Sequence, residues 1–167
     1  CRPEVFAQAF RFLCNHEIDD TVIQRPSRLG MTYHVGEDFY DIADGLRAID
    51  EVLLFLNFER GDRFGHALVL GTDIYLYYAK RDYTLSMTKQ TLIDNFCWLF
   101  VKCNQNIGDS PPCEYFKAQF RKYVYDVYGE LIDIYTYYQS WLLRGDNPEI
   151  YQDIDKCPKV DYCIDPW

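Results

Sequence analysis

Two short segments of this chain place metal-capable or proton-transferring side chains at the end of apolar runs. His34 closes the first run, and Glu37 follows it three residues later. His66 lies in the second run. A neutral imidazole is a common zinc ligand, and a nearby carboxylate can transfer protons to a substrate bound at that metal. Gly36 lets the backbone turn sharply and approach a ligand closely. These residue types are suited to metal-assisted hydrolysis, which makes a hydrolase one possible interpretation.

Ordinary structural roles are open for the same residues. His34 could be a strand-end histidine bonded to a carbonyl group, with Glu37 as an acidic residue at a helix N-terminus. His66 could be a core histidine whose polar atoms are satisfied, because an unpaired buried polar group is costly. The spacing alone leaves both interpretations of each residue open.

The elements around these residues have the order strand, helix, strand. The pattern predicts a strand over Met31–Val35, an amphipathic helix over Asp41–Phe58 and a second apolar run over Phe64–Leu70. A helix of this length can connect two parallel strands, and β/α-barrel enzymes build their sites where such strands end. A chain of 167 residues is too short for eight strands, which need about 250 residues. The predicted fold is therefore α/β and α-rich, with about two strands of a (β/α)8 TIM-type barrel in residues 1–71.

The remainder of the chain is predicted to be mostly helical. A first helix covers Pro3–Glu17, and a polar loop follows over Asp19–Leu29. Further helices are predicted at Thr88–Asn104 with Thr88 as N-cap, at Cys113–Tyr128 ending at Gly129, and from Glu130 or Asp133 to Arg144, with a short turn at Asn147-Pro148. The tail from Asp155 shows no clear period. Residues 72–167 are thus predicted to form a helical region and tail within the same structural unit as residues 1–71.

Composition narrows the classes of partner. With 26 acidic and 17 basic residues the net charge is −9, so nucleic-acid binding is not expected. The chain has no apolar run long enough to span a membrane. The charges on the 41–58 helix are predicted to be solvated, although Asp44 and Arg47 are spaced to pair.

The seven cysteines favour a reduced, cytoplasmic protein. Their number is odd, and no C-x-x-C pair indicates a zinc ribbon. Buried free thiols are expected at Cys14 and Cys97, whereas a bridge between Cys157 and Cys163 is a minor alternative.

The two segments together resemble a known family. His34-Val-Gly-Glu37 resembles the H-x-G-E motif of adenosine deaminases and their amidohydrolase relatives, and Arg63-Phe-Gly-His66 resembles the R-x-G-H segment that follows it. The intervening Asp44–Glu51 segment is similar to a helix of that family. More narrowly, these residues are similar to the large bacterial deaminase-like proteins that include the RADAR anti-phage type. Those proteins carry a helical insertion after the second motif, which the Tyr138–Asp146 segment fits.

The resemblance implies a role for each site residue. His34 would be a zinc ligand, Glu37 the proton donor to the purine ring nitrogen, and Gly36 part of the substrate-binding turn. His66 would orient the zinc-bound water and take its proton. The implied substrate is adenosine or a related purine nucleoside or nucleotide, with antiviral defence or purine metabolism as the setting.

Two parts of the family pattern are missing. The first ligand pair, H-x-H, does not occur. No Asp-Asp pair follows the second motif either, since the Asp19-Asp20 pair lies before both motifs. A catalytic zinc needs at least three protein ligands. The resemblance therefore implies a partial, inactive segment that does not retain zinc and depends on missing segments of a parent chain or on a second copy. The start at Cys1 without Met fits this interpretation.

A non-catalytic alternative is also open. The chain has 15 Tyr and 11 Phe residues, and aromatic side chains are enriched at interfaces. A helical interaction or assembly module derived from a deaminase fold would use them for packing against a partner.

Overall fold

The computed structural model describes residues 2–14, 29–147 and 157–164 of the chain. These residues form a mixed, helix-rich α/β structure with two small sheets. The α-helices are α1 (Pro3–Cys14), α2 (Ile42–Phe55), α3 (Ile74–Ala79), α4 (Lys89–Ile107), α5 (Pro111–Tyr128) and α6 (Ile134–Leu142). The strands are β1 (Thr32–Val35), β2 (Arg63–His66), β3 (Thr84–Thr88) and β4 (Lys159–Cys163), and 3-10 helices cover Leu68–Gly71 and Arg144–Asp146.

The predicted strand, helix and strand form one unit. β1 and β2 are hydrogen-bonded in parallel, and α2 connects them. The predicted helix over Asp41–Phe58 is shorter at its end, because Leu56 caps α2 and Asn57 takes a left-handed φ of 54°. Val52 and Leu56 are fully buried and fix this end of the helix in the core.

The second apolar run is only partly a strand. β2 ends at His66, although the apolar run continues to Leu70. His66 and Ala67 both have positive φ, and the chain then enters the 3-10 helix Leu68–Gly71. Val69 is the buried residue of that helix, so the later apolar residues serve a turn and not a longer strand.

The long helices follow their sequence signals. α4 begins after Thr88, whose hydroxyl accepts a hydrogen bond from the Thr91 amide at 3.1 Å, as predicted for an N-cap. α5 ends at Gly129 with φ 72°, as predicted for a left-handed C-cap. Asp133 caps α6, which ends at Leu142 and not at Arg144. Three predicted segments lie outside the described residues. They are the last turn of the first helix, the 19–28 part of the polar loop and most of the turn at Asn147-Pro148.

A second sheet includes part of the tail, in which the sequence shows no clear period. β3 and β4 pair antiparallel, with Met87 opposite Val160. Met87 is fully buried, while alternate residues of β4 are exposed. Both strands alternate apolar and polar residues, but each is short and its partner is about seventy residues away along the chain.

A buried ionic network connects α2, α4 and the end of α6. Asp94 accepts hydrogen bonds from Arg144 Nη1 at 2.7 Å, Arg144 Nη2 at 2.6 Å and the Tyr137 hydroxyl at 2.6 Å. Arg47 pairs with Glu51 and with Asp44. The expectation of solvated charges on α2 is wrong for Arg47, which is 7% exposed and also donates to Asn95 Oδ1 at 3.0 Å.

The charges of this network stabilise one another. Burial on its own would raise the pKa of Asp94. The guanidinium groups of Arg144 and Arg47 and the accepted hydrogen bonds outweigh burial, so the pKa lies below its usual value. Asp94 is therefore a buried carboxylate that stays ionised because it is paired.

Contacts also connect α1 with the 3-10 helix Arg144–Asp146. Gln8 Nε2 donates to the Asp146 carbonyl at 2.8 Å, and Arg11 Nη1 lies 2.6 Å from Asp146 Oδ1. The alternative of a bridge between Cys157 and Cys163 is wrong, because both are free thiols. None of the described helices has the length and apolar character that a membrane span requires.

Replacing the buried carboxylate should test the network. We expect Asp94→Asn to lower the free energy of unfolding by about 3–5 kcal/mol, because Arg144 stays charged and buried while it loses the carboxylate that both of its Nη atoms contact. Urea denaturation of the variant and the natural chain measures the difference. Because the pKa of Asp94 is lowered, the deficit should be full at neutral pH and should shrink as the pH falls below about 4.

The matched control is Asp126→Asn. Asp126 pairs with Lys89 at 2.9 Å across a partly exposed contact. Such a pair contributes at most about 1 kcal/mol. Equal losses of unfolding free energy in the two variants would show that the buried network stabilises the fold no more than an exposed ion pair does.

Candidate metal centre at two strand ends

His34 and His66 lie side by side where β1 and β2 end. Parallel pairing places His34 opposite Gly65 and Val35 opposite His66. The two imidazole rings are 4.8 Å apart between centroids and meet edge to face at 83°. Both histidines are exposed, so His66 is not the satisfied core histidine that the sequence left open.

Glu37 reaches the same point from the turn after β1. Gly36 takes a left-handed φ of 70°, a conformation that glycine adopts at low cost. Glu37 Oε2 then lies 3.1 Å from His66 Nε2. α2 begins only at Ile42, so Glu37 is not an acidic residue of that helix's first turn. The three predicted site residues with functional side chains therefore meet.

Gly65 is required beneath the His34 ring. A Cβ atom at position 65 would lie 2.3 Å from His34 Cδ2 and 2.9 Å from His34 Nε2. Two carbon atoms at this distance overlap, so any residue with a Cβ atom at position 65 would displace the His34 imidazole. The sequence prediction did not assign Gly65 a role of its own, although its position directly before His66 was the available signal.

The backbone at the end of β2 is held in an uncommon conformation. His66 has φ 62° and Ala67 has φ 46°. The Ala67 amide donates to the carbonyls of Val35 at 3.0 Å and Gly65 at 2.8 Å. Non-glycine residues with such angles are uncommon and occur at functional sites when the surroundings impose them. Here the hydrogen bond to β1 holds the turn, and the turn directs the His66 side chain toward Glu37.

Gly36 lies in a buried turn. A Cβ atom there would be 3.0 Å from Val69 Cγ1 and 3.3 Å from Ile49 Cδ1. The Gly36 carbonyl accepts a hydrogen bond from the Val69 amide at 2.9 Å. These contacts explain why the position needs glycine, whereas a contact between Gly36 and substrate stays a prediction.

The donor set could hold a metal ion such as zinc. One ligand atom from each of His34, Glu37 and His66 lies within 4.8 Å of the other two. Ligands around one tetrahedral zinc are roughly 3–3.5 Å apart, given metal–ligand distances of about 2.0–2.2 Å. Small side-chain rotations would close the difference, and the exposure of both histidines permits them. Two imidazoles and a carboxylate also form a known type of catalytic zinc site with an open fourth position.

The arrangement differs from the roles expected from the sequence. Only His34 was expected to bind the metal, with Glu37 and His66 acting on substrate and water. The geometry permits all three to contact one ion. Within the described ranges, no other group of three histidine, cysteine or acidic side chains could hold a metal.

Comparisons with known proteins do not assign the chain to a family. No protein-family model matches the chain, and no curated protein matches it significantly. The argument for its chemistry therefore depends on the residues and on their arrangement.

Zinc binding provides a direct test of this centre. We expect the chain to bind added Zn²⁺ weakly, because its donors are exposed, and we expect His34→Ala to abolish binding. Gly65→Ala should weaken binding by about 10- to 100-fold, as is typical when a ligand loses its support. Isothermal titration calorimetry gives the affinities.

Gly71→Ala is the matched control. No atom lies within 4 Å of a Cβ at this position, so the variant should bind zinc as the natural chain does. If Gly65→Ala and Gly71→Ala bind equally well, the close approach of His34 to position 65 does not shape the site. Unchanged binding by His34→Ala would place the metal elsewhere.

Proposed function

We propose that this chain is a segment of a zinc-dependent hydrolytic deaminase that acts on adenosine or a related purine nucleoside or nucleotide. One observation carries the proposal: His34, Glu37 and His66 converge at the ends of two adjacent parallel strands. Active-site residues of β/α-barrel enzymes occupy that position. The β1–α2–β2 unit would then be part of a TIM-type barrel.

Each of the three residues would have a separate role in hydrolysis. His34 would hold zinc, and a bound zinc ion lowers the pKa of water to about 7. His66 would orient the attacking water and accept its proton. Glu37 would donate a proton to the purine ring nitrogen, which makes the adjacent amino-bearing carbon more electrophilic. Water replaces the amino group, which leaves as ammonia.

The contact between Glu37 and His66 supports a proton relay. Their side-chain atoms are 3.1 Å apart, within the range for direct proton transfer. A proton that His66 takes from water could pass to Glu37 and then to the purine ring. Glu37 is 34% exposed and His66 is 48% exposed, so the relay would be open to substrate from the solvent side.

The same proposal makes the isolated chain incomplete. The H-x-H ligand pair of the resembled family is absent from the sequence, and no Asp-Asp pair follows the second motif. Within the described residues, β1 and β2 form a sheet of two strands, whose outer edges further strands would cover. We infer that the isolated chain is inactive and that segments of a parent chain complete the barrel and the ligand set.

Activity of the parent protein provides the test. We expect Glu37→Gln in the parent protein to lower kcat for ammonia release from adenosine by about 10²- to 10⁴-fold, because a general acid is lost. The isolated chain should release no ammonia above background. The parent reading frame should encode H-x-H before this segment and an Asp pair after it.

Asp38→Asn is the control for this substitution. Asp38 is the adjacent exposed carboxylate and is not one of the clustered ligands. Its loss should leave kcat within a few fold of the natural value. A parent protein without either motif, or full activity after Glu37→Gln, would refute the enzymatic proposal.

A non-catalytic assembly module is the second candidate. It is favoured by a run of exposed apolar side chains between β2 and β3. The run comprises Leu68, Leu70, Ile74, Tyr75 and Leu76, each more than half exposed. Contiguous exposed apolar residues of this kind mark interaction sites.

Oligomeric state separates this candidate from the first. If the chain assembles with a second copy through this run, Leu70→Ser with Tyr75→Ser should convert the oligomer to a monomer in multi-angle light scattering. Tyr125→Ser is the control, because Tyr125 is 59% exposed on α5, outside the run. A monomeric natural chain, or an oligomer that survives the double substitution, would remove support for self-assembly.

A further inference from the structure

A pair of cysteine thiols lies in direct contact between α4 and α5. Cys103 is near the end of α4, and Cys113 is in the first turn of α5. Their Sγ atoms are 2.7 Å apart. Non-bonded carbon atoms already keep about 3.5–4.0 Å, whereas a disulfide bond measures about 2.05 Å. The two sulfurs therefore lie closer than an ordinary non-bonded contact, at a separation between that contact and a covalent bond.

The turn between the helices holds both sulfurs in place. The Ser110 hydroxyl donates to Cys113 Sγ at 3.3 Å and lies 3.6 Å from Cys103 Sγ. The Cys113 thiol also lies 3.2 Å from the Gly108 carbonyl, which can accept its hydrogen. A serine and a backbone carbonyl thus fix the position of the buried sulfur against its partner.

Two other cysteines, Cys97 and Cys163, have contacts of a different kind. Cys97 donates to the Ile134 carbonyl at 3.7 Å, and Cys163 lies 3.8 Å from the Thr84 hydroxyl. Their contacts are to oxygen atoms. Of these four described cysteines, only Cys103 and Cys113 are in sulfur–sulfur contact.

We propose that Cys103 and Cys113 are an oxidation site that forms a reversible disulfide by exchange with a low-molecular-weight disulfide. Cys103 is half-buried and Cys113 is 1% exposed, so Cys103 reacts first. The Cys103 thiolate attacks one sulfur of oxidised glutathione and releases one glutathione thiolate. Cys113, as its thiolate, then attacks Cys103 Sγ and releases the second. Two protein thiols are oxidised, and one glutathione disulfide is reduced to two glutathione molecules.

The bond would covalently close the α4–α5 hairpin. It joins residues ten positions apart, across the turn that contains Gly108 and Ser110. A loop of this length restricts the unfolded chain enough to raise Tm by about 5–10 °C for a protein of this size. α4 also carries Asp94, so oxidation would reinforce the helix on which the buried ionic network depends.

Equilibrium with glutathione redox buffers tests the site. Trypsin leaves both cysteines in one peptide, residues 103–117, because no Lys or Arg lies between Lys102 and Lys117. After acid quenching and alkylation, mass spectrometry gives the fraction of that peptide that lacks two hydrogens. The end point is measured because burial raises the pKa of the Cys103 thiol, which lowers its thiolate fraction and slows the exchange.

A synthetic peptide of residues 103–117 is the reference without the fold. We expect the oxidation constant of the folded chain to exceed that of the peptide by at least about tenfold, since the fold holds the sulfurs together. The oxidised chain should also melt at higher temperature than the reduced chain. An equal or smaller constant for the folded chain would overturn the proposal, and so would accumulation of a glutathione adduct on Cys103.

Two variants assign the effect to this pair. Cys103→Ser should abolish the disulfide in the 103–117 peptide and the rise in Tm. Cys163→Ser should leave both unchanged, because Cys163 is exposed on β4 and contacts neither sulfur of the pair. A rise in Tm that survives Cys103→Ser, or disappears in Cys163→Ser, would assign the redox response to other cysteines and reject the proposal.

Discussion

The ionic contact between Asp94 and Arg144 is the constraint on which the rest of the structure depends. Each group is nearly inaccessible to solvent, with 5% and 7% of its side chain exposed. Two charges at such depth are tolerated only when each satisfies the other, because desolvation costs several kcal/mol per ion. Asp94 is on α4, and Arg144 follows α6. The pair therefore fixes the end of the α6 segment against the central helix.

The constraint extends to the metal centre through α2. Arg47 on α2 donates to Asn95, the neighbour of Asp94, so one side of α2 is held against α4. Its other side approaches the strand ends, since a Cβ at Gly45 would lie 2.8 Å from Val69 Cγ2. Val69 in turn packs on Gly36, the turn that presents Glu37. A chain of packed contacts thus connects the buried charges with the position of the proposed proton donor.

The sequence predicted those features that depend on local chemistry. α4 and α5 were recoverable because Thr88 and Gly129 are capping residues at the limits of strong helical patterns. The convergence of His34 with His66 followed from the order strand, helix, strand. The pairing of β3 with β4 was not recoverable, because it joins two five-residue strands that are far apart in sequence. The burial of Arg47 was missed for a related reason, since its partner Asn95 lies on another helix.

The metal centre shows how local and distant factors combine. The sequence identifies imidazoles and a carboxylate, but the distance between them depends on the register that sets His34 opposite Gly65. A shift of one residue would turn His34 to the other face of the sheet and would replace Gly65 by a residue with a Cβ atom. The left-handed turn at His66 adds a second condition, because it directs the imidazole toward Glu37 after the strand has ended. The proposed chemistry therefore depends less on the three reactive side chains alone than on two glycines that bring them together: Gly36, which turns the chain after β1, and Gly65, which leaves room for the His34 ring.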